Sequence, residues 1–132
     1  MQLVQALPLL SLILVVIFAL VYTAKDGEIG QVSWVWPAML SGLFLLFSLY
    51  TIAQEGLFGF WPNSYETLWG TQVWIDLLLA FAIGWTFLLP LAVKLGMSKW
   101  LWTAALLCSG CIGLLAMYAR VLYLQDRADQ AA

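Results

Sequence analysis

Histidine is absent from the 132-residue chain, and only 9% of its residues carry charge. Without imidazole the chain lacks the commonest axial ligand for haem or chlorophyll-type pigments and the usual intramembrane metal ligand. The scarcity of charge is more telling, because a soluble domain carries about 25% charged residues and uses them to face water. Two cysteines are too few for a disulfide scaffold. A net charge of −2 supplies no basic patch, so nucleic acid is excluded as a partner. There is also no Gly-rich phosphate loop, no metal-ligand set and no repeat of the kind that builds inverted-repeat transporters.

What fills the chain instead is hydrocarbon: 64% hydrophobic residues and a mean hydropathy of +0.97. A membrane-spanning helix needs roughly 20 mostly apolar residues, and four stretches supply them, at about 3–24, 34–53, 69–94 and 99–124. The expected fold is all-α, a polytopic membrane protein with four transmembrane helices in a small antiparallel bundle. It forms one integral domain over 1–132, with no room for a soluble catalytic module. The opening MQLVQALPLL has no Lys or Arg and leads into an apolar run too long for a signal h-region. A retained membrane helix is therefore expected there, ending in the polar turn KDGEIGQ.

The punctuation agrees. Ser33 and Pro37 suit the start of the second helix. Residues 54–68 form a long acidic and aromatic loop, whose Phe58, Phe60 and Trp61 suit a segment folded back into the headgroup layer. Pro90 should kink the third helix, and Ser98 should cap the fourth. Trp34, Trp36, Trp61, Tyr65, Trp69, Trp100, Trp102, Tyr118 and Tyr123 cluster where spans meet water, as an interfacial belt does. Basic residues divide Lys25, Lys94 and Lys99 against Arg120 and Arg127. That count places the termini and loop 54–68 on the non-cytoplasmic side of a membrane, expected to be a bacterial inner membrane.

In GTQVWIDLLLAF, residues 70–81, one carboxylate sits in a run otherwise fit for lipid. An ionisable residue inside a span needs a partner. The fourth span runs antiparallel to the third, and folding the hairpin about Gly96 and Met97 brings Arg120 within reach of Asp76. The small residues then line up: Ala80 and Gly84 on one helix, Ala105, Ser109, Gly113 and Ala116 on the other, a stripe that permits close approach. The expectation is an Asp76–Arg120 ion pair with Gln72 donating to the carboxylate. Glu55, Asn63 and Glu66 join them in a polar cluster at one end of the bundle. Such a cluster either pins the helix register or lines a pocket for a headgroup, a proton or acid chemistry.

CSGC, residues 108–111, has the spacing of a redox CxxC pair. Placed in mid-span, however, Cys108 and Cys111 are poorly solvated and lack the helix-terminus position that lowers a thiol pKa. Packing as small apolar residues accounts for them better.

Residues 69–124 resemble a bacterial family of small membrane proteins known only as a domain of unknown function. The shared features are an acidic residue in an apolar helix, here Asp76; a basic-Leu-Gly-Met turn, here Lys94, Leu95, Gly96 and Met97; and a helix led by Trp100 that ends near Leu122, Tyr123 and Leu124. This chain departs in carrying Gln125 where a basic residue is commoner, and in an added first span. The resemblance implies a helical hairpin and no activity.

The functional expectation is an accessory or scaffold subunit without turnover of its own, packed against a larger membrane complex, a second copy, or membrane lipids. No haem or metal is expected. A lipid, quinone or carotenoid-like ligand would be held by packing and a few hydrogen bonds. The first alternative is a membrane enzyme or carrier for a hydrophobic, isoprenoid-like substrate, with Asp76 and Glu55 supplying acid chemistry. The second is a thiol redox protein using Cys108 and Cys111. Burial of Asp76 against Arg120 marks the scaffold, and an accessible pocket at Asp76 marks the enzyme.

Overall fold

A computed structural model describes residues 2–25 and 33–132, all helix and connection with no strand among them. The turn expected over residues 26–31 lies outside the described residues. Contacts divide the chain into two units, Met1–Val32 and Ser33–Ala132. The first is a single helix, α1 (Gln2–Ala24), apolar all round and exposed along its described side chains.

The second unit holds α2 (Val35–Glu55), α3 (Phe60–Tyr65), α4 (Leu68–Lys94), α5 (Lys99–Ser109) and α6 (Cys111–Ala131). Three helices are long and apolar enough to cross a membrane: α1 from Ala6, α2, and α4. The backbone amide of Val35 donates to the Ser33 hydroxyl at 3.3 Å, and Pro37 is buried in the first turn of α2. Inside the expected loop, α3 lies back on the start of α4, with Phe60 stacked on Trp74 at 5.8 Å. Thr67 caps α4, accepting from the amide of Gly70 at 2.9 Å. Ser98 occupies the N-cap position of α5, but its side chain makes no capping bond.

The turn after α4 closes as its sequence requires. Gly96 adopts φ +74°, a left-handed conformation that costs glycine nothing. Its amide donates to the Val93 carbonyl at 3.1 Å, and that of Met97 donates to Ala92 at 2.9 Å. This pair of bonds satisfies the last carbonyls of the helix and folds Met97 onto the core.

The expected fourth span is not one helix. At Gly110 the backbone turns to φ +60°, ψ −122°, and the chain doubles back. α5, with 11 residues, is roughly 16 Å long and cannot cross a core of about 30 Å. It descends along α4 until Gly110 meets the ring of Phe81, where an added Cβ would stand 3.2 Å away. α6 then returns parallel to α4. Leu114 touches Gly84, and Met117 and Val121 pack against Leu88 and Ala92. At the crossing of α5 and α6, Gly113 lies so close to Ala105 that a Cβ would stand 2.6 Å from its carbonyl oxygen.

The core of this unit is small: Leu88, Ala92, Met117 and Val121, with Trp85, Trp102 and Leu114 around it. α2 runs antiparallel along α6. Trp34 meets Tyr123 edge-on at 5.4 Å, and the buried Ser41 hydroxyl donates to the Ile112 carbonyl at 3.0 Å. That bond ties α2 to the first turn of α6. Ser41→Ala should therefore lower stability by roughly 0.5–1.5 kcal/mol in a detergent unfolding titration, the range for one such bond. An unchanged midpoint would show that the hydroxyl contributes nothing to the α2–α6 contact.

Candidate functional site

The break at Gly110 changes what each charged residue faces. Asp76 lies on α4 well before Phe81, whereas Arg120 lies beside Val121, which packs on Ala92. Counted along α4, the two are separated by roughly 20 Å. The expected ion pair does not form, because the register that paired them assumed a straight helix through residue 110. Arg120 instead sits over the ring of Tyr123 at 5.4 Å. The expected bond from Gln72 to the Asp76 carboxylate is also absent.

Asp76 is exposed. It lines a shallow, open depression with Leu68, Thr71, Gln72, Ile75 and Leu79, all from one face of α4. The Thr71 hydroxyl is used locally, donating to the Thr67 carbonyl at 3.2 Å. Among the described residues, the Asp76 carboxylate has neither a hydrogen bond nor an ion pair. Glu55, Asn63, Glu66 and Gln72 gather at the same end of the unit, all exposed and with no side-chain bond joining them. Without Arg120 the expected cluster contains no cation.

Every basic residue of this unit lies at the other end: Lys94 closing α4, Lys99 opening α5, and Arg120 and Arg127 on α6. The small residues are redistributed as well. Ala105, Ser109 and Gly113 meet one another across the α5–α6 crossing, and the Ser109 hydroxyl donates to the Ala105 carbonyl at 2.6 Å. Gly84 meets Leu114 from α6, Ala116 is half-buried, and Ala80 is exposed. The stripe thus packs the hairpin onto itself more than onto α4.

The two cysteines are free and straddle the turn, Cys108 exposed on α5 and Cys111 half-buried as the first residue of α6. The helix-terminus position held to be missing is therefore present for Cys111, at the level of Phe81 midway along α4. Among the described residues, no three Cys, Asp or Glu side chains gather as a metal site.

Sequence reasoning missed the break and the aromatic pair Phe60–Trp74. One signal was available for the first: Gly110 and Gly113 three residues apart in a helical run, where a glycine marks a stop as readily as a packing site. No family model matches the chain, and no curated protein or solved structure does.

Proposed function

We propose that this protein is a non-catalytic accessory subunit of a larger membrane complex, docked through the α4 face around Asp76. The observation that carries this reading is an unpartnered carboxylate on an apolar, uncovered face of α4. The 27 residues of α4 span roughly 40 Å, more than a hydrocarbon core of about 30 Å. With Phe81 at the midplane, Asp76 lies roughly 7 Å inside the hydrocarbon edge, deeper than its single methylene reaches. A charge at that depth pairs with a counter-charge or faces a polar cavity. α1 carries no charged residue, so the counter-charge comes from another chain: an Arg or Lys on a transmembrane helix of the complex. A parallel pair of copies sharing this face would set Asp76 against Asp76, which disfavours a homo-oligomer here. The alternative of an isoprenoid-processing site is weaker, because an active site converges groups from several elements and this depression is lined by one helix.

Orientation belongs to the same reading. Three helices cross, and α5–α6 form a re-entrant hairpin whose tip reaches mid-depth. Lys94, Lys99, Arg120 and Arg127 then share one face, and the end of this unit that bears α3 has no basic residue. The positive-inside rule assigns the four cations to the cytoplasmic side. α3 lies on the opposite side, with the α6 tail no longer beside it.

The test is purification from native membranes in mild detergent, comparing wild type with Asp76→Ala and Asp76→Asn. A stoichiometric membrane partner is expected with the wild type. Truncating one member of a desolvated charge pair should weaken that association by about 2–5 kcal/mol while helicity stays unchanged. A wild-type protein that emerges alone removes the subunit reading.

A further inference from the structure

At the end of the unit opposite Asp76, two guanidinium groups gather on one aromatic ring. Arg120 and Arg127 lie 5.4 Å and 5.3 Å from the centroid of Tyr123. Trp34 from α2 closes on the same ring edge-on at 5.4 Å. Steps of three and four residues put Arg120, Tyr123 and Arg127 on one face of α6. Asp129 falls off that face and Asp126, three residues beyond Tyr123, borders it, but neither is ion-paired with either arginine. Two exposed like charges held together on a ring, with no carboxylate between them among the described residues, form a fork for an anion. Guanidinium is the group that recognises phosphate oxygens in this way.

Depth selects the source of that anion. Arg120 is level with Leu91 and Ala92 on α4, roughly 16 Å from Phe81, just outside a hydrocarbon half-thickness of about 15 Å. Arg127 lies roughly two turns further out. The pair therefore brackets the layer occupied by phospholipid headgroups, and the edge of Trp34 suits the same interface.

We propose that Arg120 and Arg127, gathered on Tyr123 beside Trp34, form a binding site for the phosphate of an anionic phospholipid headgroup. The site is separate from the Asp76 face and does not depend on a protein partner. It requires that the chain lie in a bilayer.

The experiment is native mass spectrometry of the full chain, released from detergent containing equal phosphatidylglycerol and phosphatidylcholine. Wild type should retain phosphatidylglycerol with about thirtyfold preference, the scale set by two basic residues near an anionic surface. Arg120→Gln/Arg127→Gln should lose that preference. Arg120→Lys/Arg127→Lys should keep part of it, having charge without the planar fork. Lys94→Gln/Lys99→Gln should keep it in full. Helicity and thermal unfolding of each variant separate lost binding from lost folding. Preference surviving the double glutamine variant, or vanishing equally in the lysine pair, overturns the site. Displacement of the lipid by millimolar inorganic phosphate would reassign the fork to a soluble anion and overturn the lipid assignment.

Discussion

Cysteines placed at Asn63 and at Ala128 should label from opposite faces of the membrane. In a background with Cys108 and Cys111 replaced by alanine, an impermeant maleimide added to sealed vesicles of known sidedness should modify one site nearly completely. The other should stay at background until the vesicles are opened. Four full crossings in an antiparallel bundle require the reverse, both positions reacting from the same face. The difference arises from one residue, because the turn at Gly110 sends α6 back towards the end from which α5 came. Residue 63 lies in α3 at one end of the unit, and residue 128 lies past Arg127 at the other. Both positions are exposed, so neither substitution disturbs packing. Labelling of Asn63→Cys and Ala128→Cys from one face would sink the re-entrant hairpin. The assignment of the four basic residues to a common side would go with it. If they label from opposite faces, the face at which Ala128→Cys reacts also checks the positive-inside assignment, since it should be cytoplasmic.

Much of this architecture could be read from the residues, and where reading failed the cause is specific. The apolar runs locate α1, α2 and α4 to within two residues, because a bilayer-length hydrophobic run has few other uses. The Lys94–Met97 turn was legible for a comparable reason: a glycine after an apolar helix supplies the left-handed residue that ends it. Gly110 carries the same chemistry but sits inside an apolar run. Hydropathy does not register backbone dihedrals, so the run reads as continuous. The misplaced register of Arg120 and of the small residues follows from that one turn. On a straight helix Arg120 would reach Asp76, and Ala80 and Gly84 would meet the small residues of 105–116. Broken at 110, the same residues serve a different contact, and Asp76 is left facing outward. That exposure changes the functional argument. A carboxylate neutralised within its own chain is a structural staple, whereas one left uncovered on an apolar helix leaves a charge for a partner to neutralise. Asp76 is not buried against Arg120; it lines a shallow, open depression formed by a single face of α4. The depression at Asp76 is a helix face suited to another helix.

Replacing Gly113 by leucine should open the α5–α6 hairpin. A Cβ at this position would stand 2.6 Å from the Ala105 carbonyl oxygen, 2.7 Å from its carbon and 2.8 Å from the Ser109 hydroxyl oxygen. Two of these three are backbone atoms and cannot rotate aside, so the crossing itself must widen. Overpacking of this kind costs about 1–3 kcal/mol where a core can adjust. Gly113→Ala should fall in that range and leucine beyond it. The conformation of Gly110 adds to the constraint, since φ +60° with ψ −122° belongs to a region that side chains avoid at a cost of about 1–3 kcal/mol. Gly110→Val/Gly113→Leu should therefore favour the continuous helix that the apolar run would otherwise form. Spin labels at Leu101 and Tyr118 can read the change, because those positions are roughly 26 Å apart along a straight helix. In the hairpin they lie at a similar level on neighbouring helices, whose axes pack about 8–10 Å apart. The wild-type distance should be the short one, and the double variant should move towards the long one. A wild-type distance near the straight-helix value would show that α5 and α6 are one span. Asp76 and Arg120 would then return to the same end of the bundle. The carboxylate would have its partner within the chain, and the case for a partner helix at α4 would lapse.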